Sequence, residues 1–539
     1  MFPQIPEACL RESCILAALA MNYLQTLWSL LFVFLIPILY FLDTHSADSP
    51  KEEGSIWALF YMFLFGFVFS LCSTYWFFST YPLDWLQIYD PRLSLFIIGG
   101  IWVSFGIVMG LSIALWAPLV RFIKTENILL SALVGAACWV TLEYARSWMV
   151  VIAMYGPETL FGPHHTYYSL AYAIPSIPLL KEMLPVGGLY LGSFVLILIN
   201  YFLYHCILTL FLKKNARTHR PVFLGTLICS MVFISTVSMN VLRRGNIESS
   251  FDASVITTNL PTGTKNSVKE QVAFEAVNEI ENENALIILP ENVNLLPLYV
   301  QNKNDASAPL YKNRLVVGSF IDKFAVMFVL DPQNGYIQYS GKKLLMPVGE
   351  ASVSWVTFLL GKTQSPAWLE DYKKMLRVSD RNAPPFVYKD SSVPNLVLAT
   401  SLCSENISPY IYRDATRLGA TVFVNPSSHS PYRGSPLLAR QTMAINSTRA
   451  LENGRYFITA ANSTQSFVIT DAGIVQDISA PSKELYSHFN TKIRLKTYMT
   501  PYVLYGDYVV YASMVVLALA LTQRLFYTRR RLISYRDIF

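Results

Sequence analysis

The chain has 539 residues, of which 53% are hydrophobic and 14% charged, with a net charge of +6 and a mean hydropathy of +0.36. That balance excludes an ordinary soluble protein, and the 14% aromatic content excludes disorder. No fixed-period repeat supports a fibre or solenoid, and the cations gather beside apolar segments instead of forming a nucleic-acid surface.

In chain order, apolar stretches without Asp, Glu, Lys or Arg occupy residues 13–42, 55–83, 93–120, 127–142, 183–212, 221–242 and 508–523. Most are long enough to cross a hydrocarbon core of ~30 Å as a helix. Residues 7–42 read as one long helix or as two short ones broken near residues 22–26, and two are favoured, for eight spans in all. The chain then divides into a bundle of about seven spans at 1–243, a globular domain at 244–500 and a last span with a basic tail at 501–539. The densest cationic clusters, Lys213, Lys214, Arg217 and Arg220, and Arg524 with Arg529, Arg530 and Arg531, are cytoplasmic under the positive-inside rule. The globular insert is therefore expected outside, with Arg243 and Arg244 as contrary charges. No cleavable signal peptide is expected, because the apolar stretch after Arg11 and Glu12 is too long.

Within the insert, short β-rich runs at 285–290, 316–320, 325–330, 396–401 and 421–425 alternate with helix-like segments, the pattern of an α/β domain with one substantial core. Six of the seven cysteines, Cys9, Cys14, Cys72, Cys138, Cys206 and Cys229, lie in or beside apolar spans, where a thiol is usually a small hydrophobe. Cys403 is the single thiol of the insert, either inert or kept for reactivity. It follows a strand and precedes a helix-like run, a turn whose dipole is expected to favour thiolate. Two other runs share the design: Ala285-Leu-Ile-Ile-Leu-Pro-Glu291 ends a strand on a carboxylate, and Gly341-Lys-Lys-Leu-Leu-Met-Pro-Val-Gly-Glu350 carries two lysines. Taken singly, a turn glutamate and loop lysines are ordinary solvated groups. In order, Glu291, Lys342 and Cys403 are a base, a cation and a nucleophile.

With these residues the chain resembles the nitrilase superfamily, whose members carry a Glu-Lys-Cys triad on an α-β-β-α sandwich. Cys403-Ser-Glu-Asn, Pro409, Arg413, Arg417, Gly419-Ala420 and Asn425-Pro-Ser resemble its nucleophile segment. A multi-span bundle interrupted once by such a sandwich is similar to the apolipoprotein N-acyltransferase family. Lys342-Lys-Leu-Leu-Met-Pro-Val-Gly-Glu350 resembles that family's Lys-x-x-Leu-Val-Pro-Phe-Gly-Glu signature, which assigns the triad lysine to Lys342 and not Lys343. Arg449-Ala-Leu-Glu-Asn-Gly-Arg455, Asn462 and Asp471-Ala-Gly473 resemble later motifs, and Glu143 with Arg146 resembles an intramembrane Glu-x-x-Arg pair, a functional or a purely structural ion pair. The chain departs from the family at Ser404, where Tyr is usual, at Asn425-Pro-Ser-Ser-His-Ser430, where Asn-Asp-Ala-Trp-Phe-Gly is common, and at Asn266, near the place of a lipid-contacting Trp. Ser404, Asn266 and His429 are thus candidate substrate contacts, and the wall beside the nucleophile is expected to be poor in aromatics.

The resemblance implies a phospholipid acyl donor, a thioester on Cys403 and transfer to the N-terminal amine of a diacylglyceryl apolipoprotein. Glu291 is the base, Lys342 the oxyanion partner, and Glu350 and Glu405 orient Lys342 and Glu291. No cofactor or metal is expected, the adjacent His164 and His165 lacking a carboxylate or thiol nearby. The loop at 150–186, which holds them, is expected at headgroup depth. The expected enzyme is a monomer in the bacterial inner membrane with a periplasmic catalytic domain. The rivals are a tethered amidase or hydrolase using water, a silent membrane scaffold, and a Cys403–His429 dyad. Sequons at Asn406, Asn446 and Asn462 matter only in a eukaryotic secretory pathway.

Overall fold

The computed structural model describes residues 11–536 apart from 14, 20–21, 23–25, 45–50, 87, 126, 212–219, 245–248, 281–285, 303–314, 322–323, 333–334, 363–365, 367–369, 371–383, 391–392 and 480–483. Among the described residues, six helices are long and apolar enough to cross a membrane: Ile56–Thr80, Pro91–Ile123, Ile128–Ala153, Lys181–Leu210, Pro221–Arg243 and Tyr508–Phe526. Such runs become helices because, away from water, only the helix satisfies each backbone amide within its own segment. The helices among them are α2 (Lys51–Ser73), α3 (Pro91–Ala114), α4 (Ile128–Ala153), α5 (Leu184–Phe211), which is kinked near its start, and α6 (Arg220–Arg244). The first apolar stretch is broken into a 3₁₀ turn, Trp28–Phe32, and α1 (Ile36–Thr44). Together they make one shorter apolar unit, Trp28–Thr44. Much of the expected additional span before it, and the cations Lys213, Lys214 and Arg217, lie outside the described residues.

Two span entries are capped as the sequence chemistry demands. The Asp90 carboxylate accepts from the Arg92 amide at 2.8 Å and caps α3; the Asn127 side chain accepts from the Leu129 amide at 3.0 Å and caps α4.

The insert is an α-β-β-α sandwich. Its strands are β1 (Ser249–Thr258), β2 (Leu286–Ile288), β3 (Leu315–Ile321), β4 (Ala325–Asp331), β5 (Tyr336–Gly341), β6 (Val387–Lys389), β7 (Val397–Thr400), β8 (Val422–Ser428), β9 (Tyr456–Asn462), β10 (Ser466–Ile469), β11 (Val475–Ser479) and β12 (Tyr486–Leu495). One sheet runs β5-β4-β3-β2-β1-β12 and the other β6-β7-β8-β9-β10-β11, joined where Thr258 meets Asn462. The layers follow from alternation. Val255, Ile288 and Val317 of the first sheet pack against Leu398, Val424 and Ile458 of the second. The opposite faces take helices: α7 (Asn266–Asn278) packs on Ile256 and Ile287, while α8 (Pro409–Arg417) and α9 (Pro436–Asn453) pack on Phe423 and Phe457. Parallel strands β2, β7, β8 and β9 send their C-terminal ends to one side of the sandwich.

Sandwich and bundle share one core: Leu344, Val353, Ile407, Ile445 and Leu451 pack into the cluster that holds the spans. At its centre Arg449, fully buried on α9, pairs with Glu452 one turn on. Its guanidinium also donates to the carbonyls of Asn406 at 3.0 Å and Ile407 at 3.3 Å and to the Tyr172 hydroxyl at 2.8 Å. Glu452 accepts in turn from the Leu189 amide at 2.8 Å. That amide is free because α5 is not helical at Gly187 and Gly188; Gly188 has φ +66°, and a Cβ there would lie 2.5 Å from the Tyr502 ring and 3.3 Å from the Glu452 carboxylate. The last span, α10 (Tyr508–Arg536), follows immediately after the helix Pro501–Tyr505. Removing one partner of such a buried pair leaves an uncompensated charge. Glu452→Ala should therefore destabilise the detergent-solubilised protein by about 3–5 kcal/mol, read as a fall in melting temperature. Gly188→Ala should also lower it, and the double variant should lose less than the sum because both act on one contact.

Candidate active site

Each of the three expected residues stands just beyond a strand end. Glu291 follows β2, with its amide donating to the Ser427 carbonyl at 3.4 Å; Lys342 follows β5, with its amide donating to the Ala325 carbonyl at 2.8 Å; and Cys403 follows β7. Cys403 sits at φ +47°, in the left-handed region that residues other than glycine rarely adopt, and opens a 3₁₀ turn, Cys403–Ile407. This strained position is held on both sides. Asn425 donates from its Nδ2 to the Cys403 carbonyl at 3.3 Å and to the Ser401 carbonyl at 3.2 Å. The buried Glu405 carboxylate accepts from the Leu402 amide at 2.7 Å and reaches across to the Lys343 and Leu344 amides at 2.7 and 3.3 Å.

The three groups meet in one buried cluster. Lys342 Nζ is 2.7 Å from Glu350 and 3.7 Å from Glu291, and Cys403 lines the same cavity. Burial works against the Lys342 charge, but Glu350 and Glu291 outweigh it and its pKa lies above the ordinary lysine value. Burial raises Glu291, Lys342 opposes the shift and Glu350 adds to it, with a net rise. Burial and the Glu291 charge push the Cys403 thiol up, against the pull of Lys342. Cys403 therefore rests as a thiol. The expectation that the turn dipole favours thiolate is corrected: the turn is a single 3₁₀ segment, and desolvation outweighs it.

The orienting glutamates divide differently from expectation. Glu350 holds Lys342 and accepts from the Met346 amide at 2.7 Å. Glu405 spends its oxygens on three backbone amides, so it ties the Lys342 loop to the Cys403 turn instead of orienting Glu291. Lys343 turns away, donating to the Pro384 carbonyl at 2.7 Å. Glu143 and Arg146 pair within α4 at 3.4 Å, both buried, with Arg146 also 3.6 Å from the Met109 sulfur. They lie in the bundle and are not among the residues lining the cavity over Cys403.

That cavity measures about 460 Å³ and is lined by Cys403, Glu291, Lys342 and Glu350 together with Ser404 and His429. Asn266 is exposed at the start of α7 and does not line it, which corrects its assignment as a substrate contact. The expected shortage of aromatics is corrected too. Trp76, Trp85, Tyr167 and Tyr432 form the wall, three of them from the bundle and its loops. Trp76 lies edge-on to Tyr432 at 5.3 Å and donates to Gln441 of α9 at 3.0 Å. No local motif marks Trp76 or Trp85, since both belong to apolar sequence far from the insert.

The loop after α4 props the nucleophile turn. His164 Nδ1 lies 2.9 Å from the Ser408 hydroxyl, Thr166 donates to the Ile407 carbonyl, and His165 is buried. All three sequon asparagines are buried as well; Asn406 and Asn446 bond each other at 2.8 Å, and Asn462 bonds the Leu260 amide at 2.8 Å.

A helical bundle that carries an α-β-β-α sandwich, with a buried Glu-Lys-Cys cluster at the join, defines a multi-pass membrane protein with an α/β domain. Residues 13–202 match the family model described as the apolipoprotein N-acyltransferase N-terminal domain. The apolipoprotein N-acyltransferase of Prochlorococcus marinus subsp. pastoris is 23% identical over 467 residues, 82% of this chain and 85% of that protein. That of Gloeobacter violaceus is 30% identical over 112 residues, 21% of each. Among solved structures, a variant of the Nesterenkonia AN1 amidase from the nitrilase superfamily aligns over 49% of this chain and 97% of its own, at 13% identity and TM-score 0.32. The resemblance of the chain to the apolipoprotein N-acyltransferases extends over most of its length.

Two outcomes test the cluster. Lys342→Ala should lower turnover by roughly 10²–10³-fold, as loss of an oxyanion partner does, while Lys343→Ala should stay within a few-fold. Glu291 must be ionised to act as base, so acylation rises with pH through its raised pKa. Glu350→Gln removes a like charge and lets Lys342 pair more fully with Glu291, so the acidic limb of the single-turnover rate should move to lower pH.

Proposed function

We propose that this protein moves an acyl chain from a membrane phospholipid, through a Cys403 thioester, to the N-terminal amine of a diacylglyceryl apolipoprotein. The observation that carries the reading is the meeting of Cys403, Glu291 and Lys342 in one buried cavity whose aromatic wall is contributed largely by the membrane bundle. In the first half-reaction the sulfur attacks the ester carbonyl and the thiol proton passes to Glu291. Lys342 carries the tetrahedral oxyanion, and the lysophospholipid oxygen leaves with the proton from Glu291. In the second, the amine attacks the thioester, its proton passes to Glu291, the C–S bond breaks and the leaving sulfur is reprotonated. A thiol that rests protonated suits this cycle, because the same carboxylate collects and returns the proton.

The bundle supports a bilayer-borne donor and acceptor, because it contributes Trp76 and Trp85 to the lining of the cavity that holds Cys403. The orientation read from the cationic clusters puts the sandwich in the periplasm of a bacterial inner membrane, and one chain supplies the whole triad, so the enzyme is read as a monomer.

Purified protein incubated with phospholipid should gain the mass of one acyl chain, removable by neutral hydroxylamine and absent from Cys403→Ala. If Cys403→Ala still acylates lipoprotein, the nucleophile is wrong. If lysophospholipid and free fatty acid accumulate while lipoprotein stays unmodified, the enzyme is a hydrolase using water.

A further inference from the structure

Strand β8 carries Asn425 and Ser427 at alternate positions, which therefore project to one face, and His429 follows directly after its last residue, Ser428. All three are buried, at 0%, 2% and 4% exposure. Each has one polar atom without a protein partner: Asn425 Oδ1, Ser427 Oγ and His429 Nδ1. Asn425 Nδ2 holds the Cys403 turn, the Ser427 carbonyl accepts from the Glu291 amide, and the His429 amide donates to the Asn462 carbonyl at 2.9 Å. Asn425 stands back from the cavity, whereas Ser427 and His429 line it together with Cys403 and Glu291. Buried polar atoms are nearly always partnered, so two adjacent ones on the wall of a reaction cavity point to a ligand that completes them.

The chemistry of the two walls differs. Lys342 is a cation and a donor, suited to the carbonyl oxygen of an ester or thioester. The β8 wall offers a hydroxyl and an imidazole that burial holds near a pKa of about 4, hence neutral at pH 7, and each can accept a hydrogen bond as well as donate one. A group that fits acceptors on one side while attacking a carbonyl held on the other is an N–H donor with a free lone pair, which is an unprotonated primary amine.

We propose that Ser427 and His429 seat the acceptor's α-amine, receiving its N–H bonds and leaving the nitrogen lone pair aimed at the thioester carbonyl on Cys403. This rests on the acyl-transfer reading above and adds the positioning residues for its second half. As the C–N bond forms and the C–S bond breaks, the amine proton goes to Glu291 and then to the departing sulfur, so the imidazole positions and does not titrate.

The test uses full-length Cys403→Ala protein in detergent, which binds but cannot transfer. Affinity is measured for an S-diacylglyceryl-cysteinyl peptide with a free amine and for its des-amino counterpart, in which hydrogen replaces the amine. The parent should prefer the amine by about tenfold. His429→Ala should abolish the preference while leaving the des-amino affinity unchanged, which also reports an intact fold. His429→Asn, which keeps a polar atom near the place of Nδ1, should restore most of it, and Ser427→Ala should reduce it severalfold. The proposal is overturned if the parent binds both peptides alike, or if the preference survives in both His429→Ala and Ser427→Ala. No acyl transfer enters this measurement, so a wild-type protein that forms no thioester would sink the functional reading and leave this result to stand on its own.

Discussion

The buried guanidinium of Arg449 is the contact through which the two halves of this protein become one. It touches Glu452 on its own helix, the Asn406 and Ile407 carbonyls at the end of the nucleophile turn, and Tyr172 in the loop after α4. Glu452 carries the connection onward to the break in α5 at Gly187 and Gly188. A planar group with five donors satisfies several acceptors at fixed angles, which a lysine at this position cannot do. The position of Cys403 above the bundle is thus set by a polar knot inside an otherwise apolar core, and an orphaned charge is the cost of undoing it.

Within the site, four ionisable groups balance in little volume. Lys342 between Glu350 and Glu291 keeps its charge although fully buried, and the competing pulls on Glu291 leave it a stronger base than an exposed glutamate. Neither feature works without the other: lacking Lys342, two neighbouring carboxylates resist ionising together, and lacking Glu350, the lysine neutralises the base it should assist. Glu405 acts mechanically, since its carboxylate laces the lysine loop to the cysteine turn through backbone amides and so sets the distance between cation and thiol.

The wall of the cavity is a joint product. Tyr432 comes from the sandwich, Trp76 and Trp85 come from the turns between spans, and Gln441 of α9 fixes the Trp76 ring while donating to the Ser73 carbonyl at 2.8 Å. Aromatic surface missing at Ser404 and Asn266 is therefore supplied by residues several hundred positions away. The bundle both anchors the domain and furnishes part of its binding surface.

How much of this was legible in the chain follows from the range of the forces involved. Apolar runs, caps such as Asp90 and Asn127, strand alternation and the strand-end placement of Glu291, Lys342 and Cys403 are local, and the amino-acid sequence alone determined them along with the fold class. The family motif distinguishes Lys342 from Lys343, and the two side chains take different partners, Glu350 and the Pro384 carbonyl. Tertiary structure alone decided that Glu405 binds amides, that Asn266 faces solvent, that the loop with His164 and His165 props the nucleophile turn, and that Arg449 joins the halves. Those outcomes depend on which distant backbone groups burial leaves in need of a partner. Desolvation, which also holds Cys403 as a thiol and His429 neutral, is a property of the packed chain and leaves no local mark in sequence.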